Sequence, residues 1–195
     1  MAHHRVLEEW MGLPVETLED LLRPGLRAVC VGINPSCVSV EAGHYYQGRL
    51  GRLFLRRLRE VGLLTQDAPG YEDDVLFADG VGFTDLVKRA TPRARQLRHA
   101  ELAHGRALLL RKLTEANPPL VIFTYKRTAE VLFGGFRGVG LVSGQDVLAG
   151  DAFVMPGPYA PRERVEETLA ELRTVVGRSL EASSMNIDAR SSPSE

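Results

Sequence analysis

The segment at residues 32–36 (GINPS) places an asparagine directly after an apolar run. Gly32 permits close backbone approach, and Pro35 restricts one φ angle. Asn34 therefore carries a hydrogen-bond donor and an acceptor at a stiff position, where it could hold a water molecule or bind the edge of a nucleobase. The pattern is equally typical of an Asn–Pro turn that merely ends a strand. It is not a dinucleotide fingerprint, and it lacks the lysine of a phosphate-binding P-loop.

A carboxylate follows another apolar stretch, in the segment at residues 82–86 (GFTDL). Asp85 could activate a water molecule or stabilise positive charge that develops during a reaction. The alternative is an aspartate that caps a helix or closes a turn.

Two aromatic side chains and a row of arginines lie between these segments. Tyr45 and Tyr46 offer flat surfaces on which a base could stack, unless one of them covers the core. In the helix predicted next, four arginines fall mostly opposite the apolar stripe, which indicates either a solvated face or contacts with phosphates. These arginines are Arg49, Arg52, Arg56 and Arg59.

A third candidate segment, at residues 155–162 (MPGPYAPR), contains three prolines. Prolines lower the entropy cost of ordering a loop. A stiff loop with apolar and arginine tips can wedge into a base stack, whereas the alternative is a plain connection in which Pro161 starts a helix. The candidate residues are Gly157, Pro158, Tyr159, Ala160, Pro161 and Arg162.

The elements that position these segments follow from hydrophobic patterning. Short apolar runs predict strands at 28–33, 81–86, 120–124 and 152–155, most of them buried on both faces. Helical spacing predicts helices at 15–22, 47–61, 101–116, 126–133 and 162–176. This alternation indicates a three-layer α/β/α fold with a central, mostly parallel sheet of short strands. Ligands of such sheets bind beyond the carboxyl ends of the strands, which singles out the loops at 32–43, 84–91 and 156–162.

Length and composition restrict the remaining possibilities. The 195 residues predict one domain at 1–176 and a disordered tail at 177–195, which lacks periodicity. The net charge of −1 gives no overall basic signal for nucleic acid. Two cysteines are too few for a four-cysteine zinc or iron–sulfur site. No apolar run suits a membrane span or a secretory signal, so we expect a cytoplasmic protein. His3, His4, His99 and His104 receive no functional role.

Taken together, the segments resemble the mismatch-specific uracil/thymine-DNA glycosylases, a branch of the uracil-DNA glycosylase superfamily. The similarity runs from Arg27 to Val176 and rests on the order and spacing of five segments. These are GINPS at 32–36, AGHYY at 42–46, GFTDLVKRAT at 82–91, LVIFT at 120–124 and MPGPYAP at 155–161. The resemblance implies the uracil-DNA glycosylase-like form of the α/β fold.

The resemblance also implies an enzyme: a monofunctional N-glycosidase of base excision repair. Such an enzyme flips uracil, or thymine or a damaged pyrimidine, out of mispaired duplex DNA and hydrolyses its N-glycosidic bond. Asn34 would orient the attacking water, Tyr46 would stack on the flipped base, and the loop at 155–161 would enter the gap in the helix. We expect the pocket to include Gly32, Ile33, Pro35 and Thr84, and we expect Arg49, Arg52 and Arg56 to contact phosphates.

The expected partner is double-stranded DNA with a G·U or G·T mispair, and single-stranded uracil DNA is a second candidate. We expect no metal, no organic cofactor, no membrane partner and a monomer, in a bacterial-type cytoplasm associated with the nucleoid.

The sequence departs from the family's pattern at two positions. Asp85 stands where better-known relatives carry lysine or asparagine, which predicts a carboxylate that helps to activate water and a broader enzyme. Gly157 stands where the family often carries asparagine or serine, so help from a side chain is missing there. Two alternatives stay open: a non-catalytic module that binds mismatched or uracil-containing DNA, and a different α/β enzyme acting on a small nucleotide.

Overall fold

A computed structural model of the protein describes residues 3–68 and 70–190. Its regular elements follow one another in a hairpin and then in an alternation of strands and helices. They are β1 (Arg5–Trp10), β2 (Leu13–Leu18), β3 (Ala28–Gly32), α1 (Cys37–Ala42), α2 (Arg49–Glu60), α3 (Glu72–Ala78), β4 (Val81–Asp85), α4 (His99–Ala116), β5 (Leu120–Phe123), α5 (Lys126–Phe133), β6 (Gly140–Leu141), β7 (Asp151–Val154) and α6 (Arg162–Arg190).

The centre of the fold is a five-stranded sheet with the spatial order β4–β3–β5–β7–β6. β3 pairs in parallel with β4 on one side and with β5 on the other, and β7 continues the parallel sheet next to β5. Only the short β6, at the edge beside β7, is antiparallel. The sequence therefore correctly predicts a mostly parallel sheet, whereas the two-residue β6 carries too little pattern to be predicted.

Both faces of the sheet are buried, and the side chains of β3 show how. Ala28 and Cys30 point into one apolar cluster, which α2, α3 and α6 cover. Val29 and Val31 point into the other, which α4 and α5 cover. Because successive side chains of a strand alternate between faces, a strand covered on both sides must be apolar throughout. This confirms the predicted three-layer α/β/α architecture.

The N-terminal segment is a β-hairpin, so the helix predicted at 15–22 is wrong. Met11 and Gly12 connect β1 to β2 with φ angles of 53° and 80°. Positive φ at both central residues is the geometry of a two-residue hairpin turn. The leucine spacing misleads because Leu18 enters the core from β2, whereas Leu21 pairs with Phe83 at the free edge of β4.

Helix α6 also differs from its prediction, because it continues through Arg190 rather than ending at Val176. Once a helix is nucleated, each added residue gains a hydrogen bond at little cost. No proline interrupts the sequence between Arg162 and Pro193, so no residue of that type ends the helix earlier. Residues 191–195 of the predicted tail lie outside the described residues. Within the described part of the chain, no helix is both long and apolar enough to cross a membrane.

Candidate active site

Two adjoining cavities lie at the carboxyl ends of the parallel strands. The first has a volume of about 230 Å³ and the second about 270 Å³. After β3, the chain adds β4 on one side of it and then β5 and β7 on the other side, so the strand order reverses at β3. Ligands of α/β sheets bind at such a switch point. Both cavities are lined by Asn34, Ser36, Tyr46, Leu50 and Gly51.

The side chain of Asn34 is fixed at the junction of the two cavities. Its Nδ2 donates to the carbonyl oxygen of Arg89 at 2.9 Å, to the Thr91 hydroxyl at 2.8 Å and to the Pro35 carbonyl at 3.2 Å. Carbonyl oxygens can only accept hydrogen bonds, so the nitrogen must be the amide atom that faces them. Oδ1 is then left as an acceptor for a ligand or a water molecule.

The loop that holds Asn34 is itself anchored by an ion pair on the far side. Arg89 donates from Nε and Nη2 to the two carboxylate oxygens of Glu101, at 2.7 and 2.8 Å. Glu101 is fully buried. These hydrogen bonds outweigh the cost of burial and lower the pKa of Glu101 to about 2. Such bidentate pairs fix geometry as well as charge, so the Arg89 carbonyl is held in place for Asn34.

Asp85 lies beside Gly32 at the ends of neighbouring strands. The two residues are paired in register between β3 and β4. A Cβ atom on Gly32 would lie only 2.0 Å from Asp85 Oδ1, so any larger residue there would displace the carboxylate. From the sequence, we expect Gly32 to permit close approach of another group to the backbone. The structure identifies that group as the Asp85 carboxylate.

The Asp85 carboxylate lines the second cavity and is only 5% exposed. Burial raises its pKa from 3.8 to about 7. The positive charges of Lys88 and Lys112 lower the pKa, while the negative charge of Asp20 raises it. Strongly perturbed groups in a cleft are candidates for acid–base chemistry, and a pKa near 7 suits a proton acceptor at neutral pH.

Tyr46 forms part of the wall between the cavities. Its ring packs against Phe54 at a centroid distance of 4.7 Å and against Phe83 at 5.9 Å. Its φ of 61° is rare for a bulky residue and marks local backbone strain of the kind found at functional sites. Its hydroxyl is buried without a hydrogen bond of good geometry to any described residue, although Thr124 is near enough to lower its pKa, which burial raises.

The neighbouring Tyr45 packs in the core, which is the alternative to base stacking that the sequence leaves open. It is 1% exposed, and its hydroxyl donates to the carbonyl oxygen of Glu19 at 2.9 Å. Tyr45 also lines the second cavity, whereas Tyr46 lines both cavities.

The proline-rich loop lies at the mouth of the first cavity. Pro156 and Pro158 line it, Gly157 is exposed, and Tyr159 is 81% exposed at the tip. Ala160 N donates to Gly157 O at 3.2 Å and so closes a turn. The end of the loop is also open to solvent, because Pro161 and Arg162 are exposed.

A buried arginine that the sequence analysis missed holds this loop. Arg57 donates from Nη1 to the Pro156 carbonyl at 2.6 Å and from Nη2 to the Gly157 carbonyl at 3.4 Å. The pattern contained a signal for it, since Arg57 follows Phe54 by three residues on the apolar side of α2 rather than on the arginine side. An arginine within an apolar stripe indicates a buried partner.

The remaining predicted residues divide into two groups. Ile33 lines the first cavity and Pro35 the second, in line with their expected positions. Thr84 lines neither cavity: it is fully buried and donates to Asp20 Oδ1 at 2.7 Å, because its side chain points away from the Asp85 side of β4. The pocket position predicted for Thr84 is therefore corrected.

The four arginines predicted on the solvent face of α2 are all exposed. Arg52 donates to the Gln47 carbonyl at 2.6 Å, and Arg59 lies 3.6 Å from Asp67. Because α2 also contributes Leu50, Leu53 and Phe54 to the first cavity, this positive face adjoins the cavity mouth. The set consists of Arg49, Arg52, Arg56 and Arg59.

Among the described lining residues, the polar side chains of the two cavities are one amide, several hydroxyls, the guanidinium groups of Arg49 and Arg57, and a single carboxylate, Asp85. That arrangement can orient and deprotonate a water molecule beside an apolar, aromatic-walled space. A family model described as the Uracil DNA glycosylase superfamily matches residues 19–172, which include every cavity-lining residue except Leu18.

Proposed function

The chain belongs to the uracil DNA glycosylase superfamily, and on that premise we propose that it excises uracil, and related pyrimidines, from mispaired duplex DNA. The family assigns it to the DNA glycosylases, which are hydrolases acting on DNA. The observation that carries the finer proposal is the pair of Asn34 and Asp85 on one cavity, with the amide orientation fixed by the Arg89 carbonyl.

The first cavity suits a single flipped base. Its volume of about 230 Å³ is smaller than the ~300–1,000 Å³ typical of sites for larger ligands. Its wall combines Tyr46 and Phe54 with Leu50 and Leu53, so an aromatic ring and apolar groups would contact the faces of the base. Stacking on an aromatic side chain stabilises an extruded base by roughly 1–3 kcal/mol.

The reaction breaks the bond between the sugar C1′ and the base nitrogen. The electron pair of that bond leaves with the base, and positive charge develops on the sugar. Asn34 Oδ1 accepts a hydrogen bond from the attacking water, whose oxygen forms the new bond to C1′. Asp85 in its ionised form takes the water's proton and also stabilises the positive charge. The base leaves as an anion and then takes a proton from solvent.

Access to the cavity requires the base to leave the duplex, at a cost of a few kcal/mol. A G·U or G·T mispair lowers this cost, which gives mismatch preference a physical source. We expect Tyr159, which is 81% exposed at the tip of the proline-rich loop, to fill the gap left by the base. The exposed arginines of α2 would hold the flanking phosphates.

The test is a strand-cleavage assay on labelled duplexes with a single G·U, A·U, G·T or unmodified pair, together with single-stranded uracil DNA. Alkali converts each abasic site to a break. We expect cleavage at G·U, and the other substrates rank the breadth of the enzyme. Asn34→Ala should abolish most of the release while DNA binding survives. Gln66→Ala, which removes an exposed amide, is the matched control.

Three results would contradict the proposal. Binding of mispaired DNA in a gel shift without any abasic product would favour the non-catalytic binding module. Competition by free nucleotide rather than by duplex would favour an enzyme of small nucleotides. Turnover in Asn34→Ala equal to that of the wild type would remove Asn34 from the mechanism.

A further inference from the structure

Three side chains from separate parts of the chain converge behind the loop that carries Tyr46. His4 precedes β1, His44 follows α1, and Asp73 lies in the first turn of α3. One ligand atom from each of these residues lies within 4.8 Å of the other two. The side chains are buried, with 6%, 2% and 0% of their surfaces exposed. None of the three is assigned a metal-binding role from the sequence.

The spacing of these atoms is close to that of metal ligands. His44 Nδ1 lies 3.1 Å from Asp73 Oδ1. In a tetrahedral site with bonds of about 2.0–2.1 Å, neighbouring ligand atoms are roughly 3.3 Å apart. The His44–Asp73 pair therefore has the separation of two ligands of one ion. The ligand atom of His4 lies at most 4.8 Å from those of His44 and Asp73, so it must move by up to about 1.5 Å to reach the same ion.

The surroundings orient these groups. Asp73 Oδ2 accepts the Tyr45 N–H at 2.7 Å, which fixes the carboxylate with Oδ1 slightly closer than Oδ2 to His44 Nδ1, at 3.1 against 3.3 Å. The His44 ring stacks on Tyr71 with a centroid distance of 3.6 Å. His4 Nε2 lies 2.8 Å from Asp74 Oδ1. Carboxylates that hold imidazoles in this way are typical of the surroundings of metal sites.

We propose that His4, His44 and Asp73 bind a divalent transition-metal ion of the Zn²⁺ class. Two imidazole nitrogens and a carboxylate oxygen suit zinc, whereas magnesium and calcium prefer all-oxygen sites. Together with Asp74, the cluster holds two carboxylates, which balance the charge of one divalent cation.

Such an ion would join the hairpin, the loop at 43–46 and α3 in addition to the hydrogen bonds between them. The hairpin is connected to the end of α1 by the bond from His4 N to Gly43 O, at 2.9 Å. Bound metal would add links from the hairpin to the loop at 43–46 and to α3. It would therefore stabilise the loop that positions Tyr46. This role is structural, and it does not depend on the proposed glycosylase activity.

The experiment uses the full, untagged chain, stripped of metal by a chelator and titrated with Zn²⁺ by calorimetry. We expect saturation at one ion per chain. With Zn²⁺ at 100 times the Kd, the midpoint temperature of thermal unfolding (Tm) should rise by roughly 5–10 °C. His4→Gln should weaken Zn²⁺ binding at least tenfold and remove the rise in Tm. His44→Ala should likewise weaken Zn²⁺ binding and remove the rise in Tm. If His44→Ala fails to fold, His4→Gln still tests the proposal.

Two exposed histidines serve as controls. His99→Ala and His3→Ala should bind Zn²⁺ as the wild type does. Absence of saturable binding in the wild type would overturn the proposal and leave two hydrogen-bonded His–Asp pairs. Binding that survives His4→Gln but is lost in His3→Ala would overturn it as well, because the ion would then be held at the surface.

Discussion

Replacing Asp85 with asparagine tests two properties of this carboxylate separately: the effect of its burial on the free energy of unfolding, and its part in the excision reaction. Burial raises the pKa of Asp85 from 3.8 to about 7. That difference corresponds to roughly 4 kcal/mol in the free energy of unfolding. Because the folded state binds the proton more tightly than the unfolded state, the stabilisation is complete below about pH 4. It is lost as the pH rises through 7.

Asp85→Asn removes this titration and keeps nearly the same side-chain shape. Relative to the wild type, the variant should gain up to about 4 kcal/mol in free energy of unfolding between pH 4 and pH 8. Denaturant titrations at several pH values measure this difference. Asp146→Asn, at an exposed position, is the matched control and should show no such gain.

The same variant tests catalysis in single-turnover excision of uracil. If Asp85 accepts the water's proton, the wild-type rate should rise about tenfold per pH unit up to about pH 7 and then level off. Asp85→Asn should lower the plateau by roughly 10²–10⁴-fold and remove the slope. A variant with the wild-type rate and pH profile would refute the reasoning. If its stability nevertheless changed as expected, Asp85 would be a buried acid without a part in the chemistry.

Three further substitutions test the surroundings of the site. Glu101→Gln should lower the free energy of unfolding at pH 7 by about 2–3 kcal/mol, because hydrogen bonds from Arg89 lower the pKa of Glu101 to about 2. In the wild type this contribution is present above about pH 4.5 and lost as the pH falls toward 2; an unchanged denaturation midpoint would count against it. Asp20→Asn should move the midpoint of the pH–rate profile below 7, because the negative charge of Asp20 raises the pKa of Asp85; a midpoint that stays or rises would contradict this. Arg56→Ala should weaken binding to all duplexes alike and reduce the salt slope by about one phosphate contact, whereas altered mismatch preference at constant slope would exclude that contact.

The sequence predicted the central sheet well because its strands are buried on both faces. β3, β5 and the part of β7 after Asp151 are continuous apolar runs, and such runs can be recognised without knowledge of the strands beside them. The loops that follow them were also identified, since ligands of parallel sheets bind at the carboxyl ends of strands. The position of Asn34 at the cavities follows from this rule, whereas the expectation for Tyr46 came from the aromatic pair and the resemblance to the family.

Features that depend on contacts distant in the sequence could not be predicted in the same way. Thr84 and Asp85 are adjacent, yet only one faces a cavity, because strand neighbours point to opposite faces and the sequence does not say which face is which. The bond from Arg57 to the Pro156 carbonyl spans 99 residues. The pairing of His44 with Asp73 spans 29. Periodicity reports local geometry alone, so these partners were missed.

The hairpin, whose second strand overlaps the helix predicted at 15–22, matters for the chemistry because the end of β2 holds Lys88, one of the charges around Asp85. Lys88 is buried and donates to the Leu18 carbonyl, at the end of β2, at 2.6 Å and to Asp20 at 3.0 Å. Burial raises the pKa of Asp20, but Lys88 and Lys112 outweigh burial and lower it, so Asp20 is ionised. Its negative charge offsets the lysine charges that would otherwise lower the pKa of Asp85. Because burial raises the pKa of Asp85 and Asp20 limits the opposing effect of the lysines, the carboxylate at the cavity has a pKa of about 7, where a proton acceptor is effective.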